Sequence, residues 1–114
     1  MTDTLVVLVT APSAEKAAEI ARALVEERLA ACGNVVPGIR SVYRWEGKVC
    51  EDAEALLLLK IPAARLDAVA ARVAALHPYE LPEVVALRIE GGSARYLDWI
   101  LRSASPPQDG GPAA

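Results

Sequence analysis

Leu29-Ala30-Ala31-Cys32-Gly33-Asn34-Val35-Val36-Pro37-Gly38-Ile39-Arg40-Ser41-Val42-Tyr43-Arg44-Trp45-Glu46-Gly47-Lys48-Val49-Cys50-Glu51-Asp52-Ala53-Glu54 is the stretch on which the fold turns. It begins at the end of a helical pattern, turns at a cysteine and continues as one long strand. Glu46-Gly47 reverses the chain and a second strand returns. With a two-residue loop, Trp45 faces Lys48, Tyr43 faces Cys50 and Arg40 faces Ala53. Side chains alternate between the faces of a strand. One face then carries Tyr43, Trp45, Cys50, Asp52 and Glu54, and the other Arg40, Val42, Arg44, Val49 and Glu51. Neither is a clean apolar stripe. The hairpin is too long for a small sheet, and an isolated hairpin is marginal in water. A second copy of the protein is expected to cover it.

Upstream, Leu5 to Val9 is a continuous apolar run of the length and β-branching of a strand buried on both faces. Ser13 is placed to cap the next element, and Glu15 lies where a helix dipole favours an acid. From Ala14 to Ala31 the pattern is helical, with Ala17, Ile20, Ala21, Leu24, Val25 and Leu29 on one side. Cys32-Gly33-Asn34 is expected to break that helix, Gly33 or Asn34 supplying a left-handed end. Pro37-Gly38 marks the following strand as an edge strand or a bulged one. Downstream of the hairpin, Ala55 to Leu59 reads as a second buried strand. Pro62 fits the first turn of a helix whose stripe is Leu66, Val69, Val73 and Leu76. His77-Pro78 stops it. Val84 to Ile89 is the last strand. Ser93 caps a short helix through Arg102, with Tyr96, Trp99 and Ile100 on its apolar side. The order is that of an α+β, ferredoxin-like split βαβ fold (βαββαβ plus a short C-terminal helix) with an antiparallel sheet. Residues 1–102 form the domain, and residues 103–114 read as a disordered tail. Two main helices on one side leave the other sheet face open, and self-association is the expected cover.

Composition bounds the function. At 114 residues the chain is one domain, and its core is aliphatic, since aromatic residues are 4 % and Phe is absent. Net charge is −3, which weighs against nucleic acid as a partner. No apolar run approaches the roughly 18–20 residues of a membrane span. Met-Thr-Asp-Thr at the start has no basic region of a signal peptide, and the two cysteines make no disulfide framework. A cytoplasmic location is expected. Walker A, GxGxxG, HExxH and GxSxG patterns are absent, and one histidine without a nucleophile partner makes no hydrolase. No enzymatic reaction and no organic cofactor are expected.

Four segments resemble the CutA family of divalent-cation tolerance proteins. They are Glu27-Arg28-Leu29-Ala30-Ala31-Cys32, Ile39 through Lys48, Leu76-His77-Pro78-Tyr79-Glu80-Leu81-Pro82-Glu83, and Tyr96-Leu97-Asp98-Trp99-Ile100. Trp45-Glu46-Gly47-Lys48 together with His77-Pro78-Tyr79-Glu80 is the specific combination. The resemblance spans about residues 5–102. It implies a homotrimer similar to the PII signalling proteins, association with copper, zinc or other divalent cations, and no established reaction. Gly33, Cys50 and Ile61 are departures. Cys50 could give the protein a metal or redox property of its own, and Ile61 stands where a hydroxyl helix cap would be natural.

Two donors lead the metal reading. His77 is the only histidine; the alternative is a helix-terminal His that favours the dipole and packs beside Pro78. Cys32 is a soft donor for copper or zinc; the alternative is a buried small residue at a helix–strand junction. The two main helices run antiparallel, so Cys32 and His77 should sit at opposite ends of one sheet. A shared ion would have to lie between subunits. A second grouping joins His77, Tyr79 and Glu80 with Trp45 or Glu54, of the same or a neighbouring chain. For Tyr43 and Trp45 the favoured reading is interface packing. Arg40, Arg44, Glu51, Asp52 and Glu54 could be a cross-strand charge ladder. Two ligand-binding readings of function follow, beside a purely structural trimer whose ligand sites are incidental. One is a divalent-cation binder, with His77, Cys32 and Glu80 as metal residues. The other is a PII-like module that takes a small effector near Tyr79, Trp45, Tyr43 and Glu54 and signals to a protein partner.

Overall fold

The computed structural model describes residues 2–105. Four strands form one antiparallel sheet in the order β2-β3-β1-β4. These are β1 (Thr4–Ala11), β2 (Cys32–Trp45), β3 (Lys48–Pro62) and β4 (Val85–Arg88). Helices α1 (Ala14–Glu26) and α2 (Leu66–Leu76) cover one face, and α3 (Ala94–Ser103) follows β4. This is the βαββαβ order with its added helix.

The core lies between the sheet and the first two helices. Val7, Val9 and Ala11 of β1 and Leu57, Leu59 and Ile61 of β3 alternate inward and are fully buried against Ile20, Leu24, Val69 and Val73. Burying one such aliphatic side chain stabilises by roughly 1.5–3 kcal/mol. Ser13 Oγ accepts from the Lys16 backbone N–H at 3.0 Å, as the sequence implied, and Ser93 Oγ does the same for Tyr96 at 3.3 Å.

The hairpin register is the expected one: Trp45 faces Lys48, Tyr43 faces Cys50 and Arg40 faces Ala53. Glu46 at φ 50° and Gly47 at φ 78° form the two-residue turn with both central residues left-handed, the geometry that matches strand twist. A register shift between Val36 and Ile39 places the bulge at Pro37-Gly38, and β2 is an edge strand. β3 has 15 residues, but only Ala55–Pro62 pairs with β1. The rest pairs with β2 alone and projects beyond the sheet, giving the molecule its 50 Å long axis.

Several expectations are corrected. Helix α1 ends at Glu26, not Ala31, and Cys32-Gly33-Asn34 opens β2 rather than breaking a helix. Leu29 N–H donates to Leu24 O at 2.9 Å and Arg28 N–H to Val25 O at 3.1 Å, a Schellman end with Arg28 left-handed at φ 61°. Gly33 is needed for a different reason. A Cβ there would lie 2.8 Å from Ala21 Cβ, so it lets α1 approach β2. Pro62 ends β3 and precedes a 3-10 turn, Ala63–Arg65, instead of starting the helix itself. Ile61 is a buried strand residue opposite Leu5, so no cap is missing there. The second sheet face is not wholly open. Cys32 lies opposite Lys60, out of phase with the inward Leu59 and Ile61, and Tyr96 of α3 reaches it. Ile100 of α3 is fully buried outside the main core. Of the expected tail, Ser103 is helical and Ala104 is buried, while residues 106–114 lie outside the described range.

Candidate functional site

The richest polar grouping is where α2 ends beside the base of the hairpin. His77 is the last-turn cap of α2 and is only 7 % exposed. Its Nε2 lies 2.7 Å from the Thr10 carbonyl, and its Nδ1 accepts the Tyr79 backbone N–H at 3.2 Å. The carbonyl can only accept, so Nε2 carries the proton. Both nitrogens of the neutral ring are then engaged. The Tyr79 ring packs on the imidazole with centroids 4.6 Å apart.

Tyr79 continues the chain outward. Its hydroxyl donates to Glu54 Oε2 at 2.7 Å. Glu54 is 9 % exposed although it sits on a strand beside solvent. Two positions further along β3 the same pattern repeats, with the Tyr43 hydroxyl donating to Asp52 Oδ2. Tyr43 faces Cys50, so Asp52 is its diagonal neighbour on the same face. The bond to Asp52 pushes the Tyr43 phenol up to about 12. Burial first, then the bond to Glu54, push Tyr79 up still further. Asp52 and Tyr43 also act on Tyr79 electrostatically, so the four groups form one cluster. Both phenols are therefore neutral donors at physiological pH.

Of the residues singled out from the sequence, His77, Tyr79, Glu54 and Tyr43 are brought together within one chain. Trp45 is not, because six residues of strand separate its level from that of Glu54, about 20 Å. Glu80 is exposed just beyond Tyr79. Cys32 is elsewhere. It lies opposite Lys60, four residues along β3 from Leu56, the partner of Thr10, which is about 14 Å of strand. Its Sγ lies 3.6 Å from Tyr96 Oη and 3.8 Å from Asn34 Oδ1. The contact with Cys32 raises the Tyr96 phenol above its ordinary range. Sequence reasoning gave Asp52 only a ladder role. The register alone would have placed it diagonal to Tyr43.

A resident divalent ion does not fit the donors of one chain. Among the described residues no three His, Cys, Asp or Glu side chains gather as a metal site. His77 has no free ring nitrogen, and bonds of about 2.0–2.3 Å cannot join it to Cys32.

The sequence profile of the family described as CutA1 divalent ion tolerance protein matches residues 5–103. The chain belongs to that family. It is 58 % identical over 95 residues to the divalent-cation tolerance protein CutA of Thermus thermophilus, covering 83 % of this chain and 92 % of the relative. It is 50 % identical to the chloroplastic CutA 1 of rice, covering 87 % of this chain and 56 % of that one. The crystal structure of CutA from Xylella fastidiosa superimposes with a TM-score of 0.88 at 41 % identity, covering 91 % of this chain and all of the other. The CutA1 family is defined by ion tolerance and not by a catalysed reaction. The names of its members place them in more than one compartment. Among the described residues no helix is long and apolar enough to cross a membrane.

Proposed function

We propose that this chain is a homotrimeric divalent-cation-binding protein that contributes to tolerance of copper or zinc by holding the ion. Family membership over nearly the whole fold carries the reading. Among the described residues one protomer does not present a donor set, so the site is assembled between copies, Cys32 of one meeting Glu80 of another, and His77 joins only where its ring releases the Tyr79 backbone N–H from Nδ1. The projecting hairpin supports self-association, because Val42 and Val49 are 63 % and 68 % exposed on it. Both cysteines are free thiols, in keeping with the reducing cytoplasm. The test is the metal-to-protomer ratio of the purified protein, with molar mass measured in the same run. A trimer with a fixed number of bound ions, fewer in both His77→Ala and Cys32→Ser, is the expected result. A trimer without uptake above background overturns it.

A second reading is favoured by the Glu54 cluster: a PII-like module that binds a small effector there and acts on a protein partner. A ligand selective for the native state raises its unfolding temperature. Stabilisation by a metabolite and not by copper or zinc decides for this reading.

A further inference from the structure

The loop between α2 and β4 holds Leu81 out in solvent. Leu81 is 71 % exposed, more than any other large apolar side chain among the described residues. Pro78 and Pro82 bracket it, and a proline restricts both its own φ and the residue before it. The side chain is thus presented with little entropy left to lose on contact. Glu80 and Glu83 stand on either side, both exposed. Among the described residues neither has an ion pair.

The opposite edge of the sheet carries the complement. Between α1 and the start of β2 runs a groove of about 300 Å³, lined by Ala18, Val25 and Val35 and opened by Gly33. Val25 is 40 % exposed in it. Arg22 stands at its mouth, exposed and, among the described residues, without an ion pair. Glu26, one turn further along α1, repels an acid there, so an incoming carboxylate is drawn to the Arg22 end. Gly33 is level with Ala21, which puts Arg22 and Cys32 near one level on the two sides of the β2 edge. The order β2-β3-β1-β4 separates loop and groove by three strand spacings, about 14 Å, so they cannot meet within one chain.

We propose that Leu81 of one copy fills the α1–β2 groove of the next, with Glu83 beside Arg22 and Glu80 reaching over the β2 edge toward Cys32. Glu80 and Glu83 are three residues apart, up to about 10 Å of extended chain, enough to straddle a strand edge. The occupant is a second copy because the knob and its acids lie at one edge and the apolar groove and its arginine at the other. Such a head-to-tail contact either closes into a ring or runs on as a filament. With the homotrimer proposed above it closes after three copies. This deepens the metal reading and rests on its assembly, since it is the contact that carries Glu80 of one copy to Cys32 of another.

Disulfide trapping tests it on the full chain, with Cys32→Ser and Cys50→Ser removing the native thiols. Val25→Cys and Leu81→Cys together should give a covalent ladder ending at three chains on a non-reducing denaturing gel. Either one alone should give single chains. A ladder from a single variant would show a symmetric contact and overturn the proposal, as would no ladder from the pair. A Val25→Cys thiol shielded from maleimide, with no ladder in the pair, would mean another occupant and overturns it too. Leu81→Asp, at an exposed position, serves if the cysteine variants do not assemble. It should weaken association at least tenfold by sedimentation, and undiminished association counts against the docking. Copper and zinc uptake is measured separately on the native chain. A ladder without uptake keeps the docking and removes the metal reading; uptake without a ladder does the reverse.

Discussion

Gly33 and Tyr43 are single residues whose surroundings decide their behaviour. A methyl at Gly33 would meet Ala21 Cβ at 2.8 Å and Leu59 Cδ2 at 3.2 Å. Ala21 is a short, rigid side chain, so α1 would have to lift from the sheet. Overpacking of this kind costs about 1–3 kcal/mol. Gly33→Ala should lose stability in that range by denaturant titration, and an unchanged midpoint would refute the close approach. Tyr43 makes a prediction about alkali. Its phenol has an ordinary value of 10 and is raised to about 12 by the bond to Asp52. A raised folded value stabilises fully below the unfolded value of 10. That contribution disappears as pH climbs through about 12. Ultraviolet titration should show Tyr43 ionising near 12, and Asp52→Asn should bring that step down toward 10. At this scale the sequence was readable where neighbours are set by register, as for Tyr43, Cys50 and Asp52. It was opaque for Gly33, because nothing in a linear pattern says which alanine of a distant helix will touch a strand.

Helix ends show the same limit among elements. The alternation and turn at Glu46-Gly47 predict the hairpin pair by pair, since a two-residue loop leaves one register. The end of α1 was not legible. Arg28 occupies the left-handed position usually held by Gly, and Leu29, Ala30 and Ala31 continue an apolar pattern. Ala30 and Ala31 are buried from an irregular segment and so imitate a helical stripe. Two arginines hold this end against the next element. Arg65 donates to the Arg28 carbonyl at 2.9 Å, and Arg72 makes a fork on Glu27 at 2.8 and 2.9 Å. The hydrogen bond from Arg72 lowers the Glu27 carboxyl below its ordinary value of 4.5. A lowered folded value stabilises above the unfolded value and is lost as pH falls through the folded one. Glu27→Gln should therefore unfold at a lower temperature than wild type at neutral pH. The gap should close as pH drops below 4.5, and a gap independent of pH would show that the fork does not act through charge.

Assembly belongs to the whole molecule, and one chain's periodicity shows it only as an excess. The order of elements was legible because each carries its own period, while the apolar surface on the hairpin and sheet has no partner among the described residues. Val36, Val42, Val49, Val85 and Leu87 are all exposed. The predicted open face is partly closed by α3, so the hairpin is the stronger candidate for contact between copies. Val49 allows a clean test because it lies directly opposite Arg44. Within one chain, Val49→Glu gains a cross-strand pair worth about 0.2–1 kcal/mol, so the protomer should fold as well as before. Between copies the same change withdraws an apolar contact worth roughly 1.5–3 kcal/mol and adds a charge to desolvate. Each 1.4 kcal/mol is about tenfold in a dissociation constant, so association should weaken at least 10- to 100-fold. Sedimentation over a dilution series should show Val49→Glu falling to the protomer at concentrations where the wild type stays assembled, with circular dichroism unchanged. If the two dilute alike, the projecting strands do not hold the copies together. The interface would then have to be sought on the sheet edge around Val85 and Leu87.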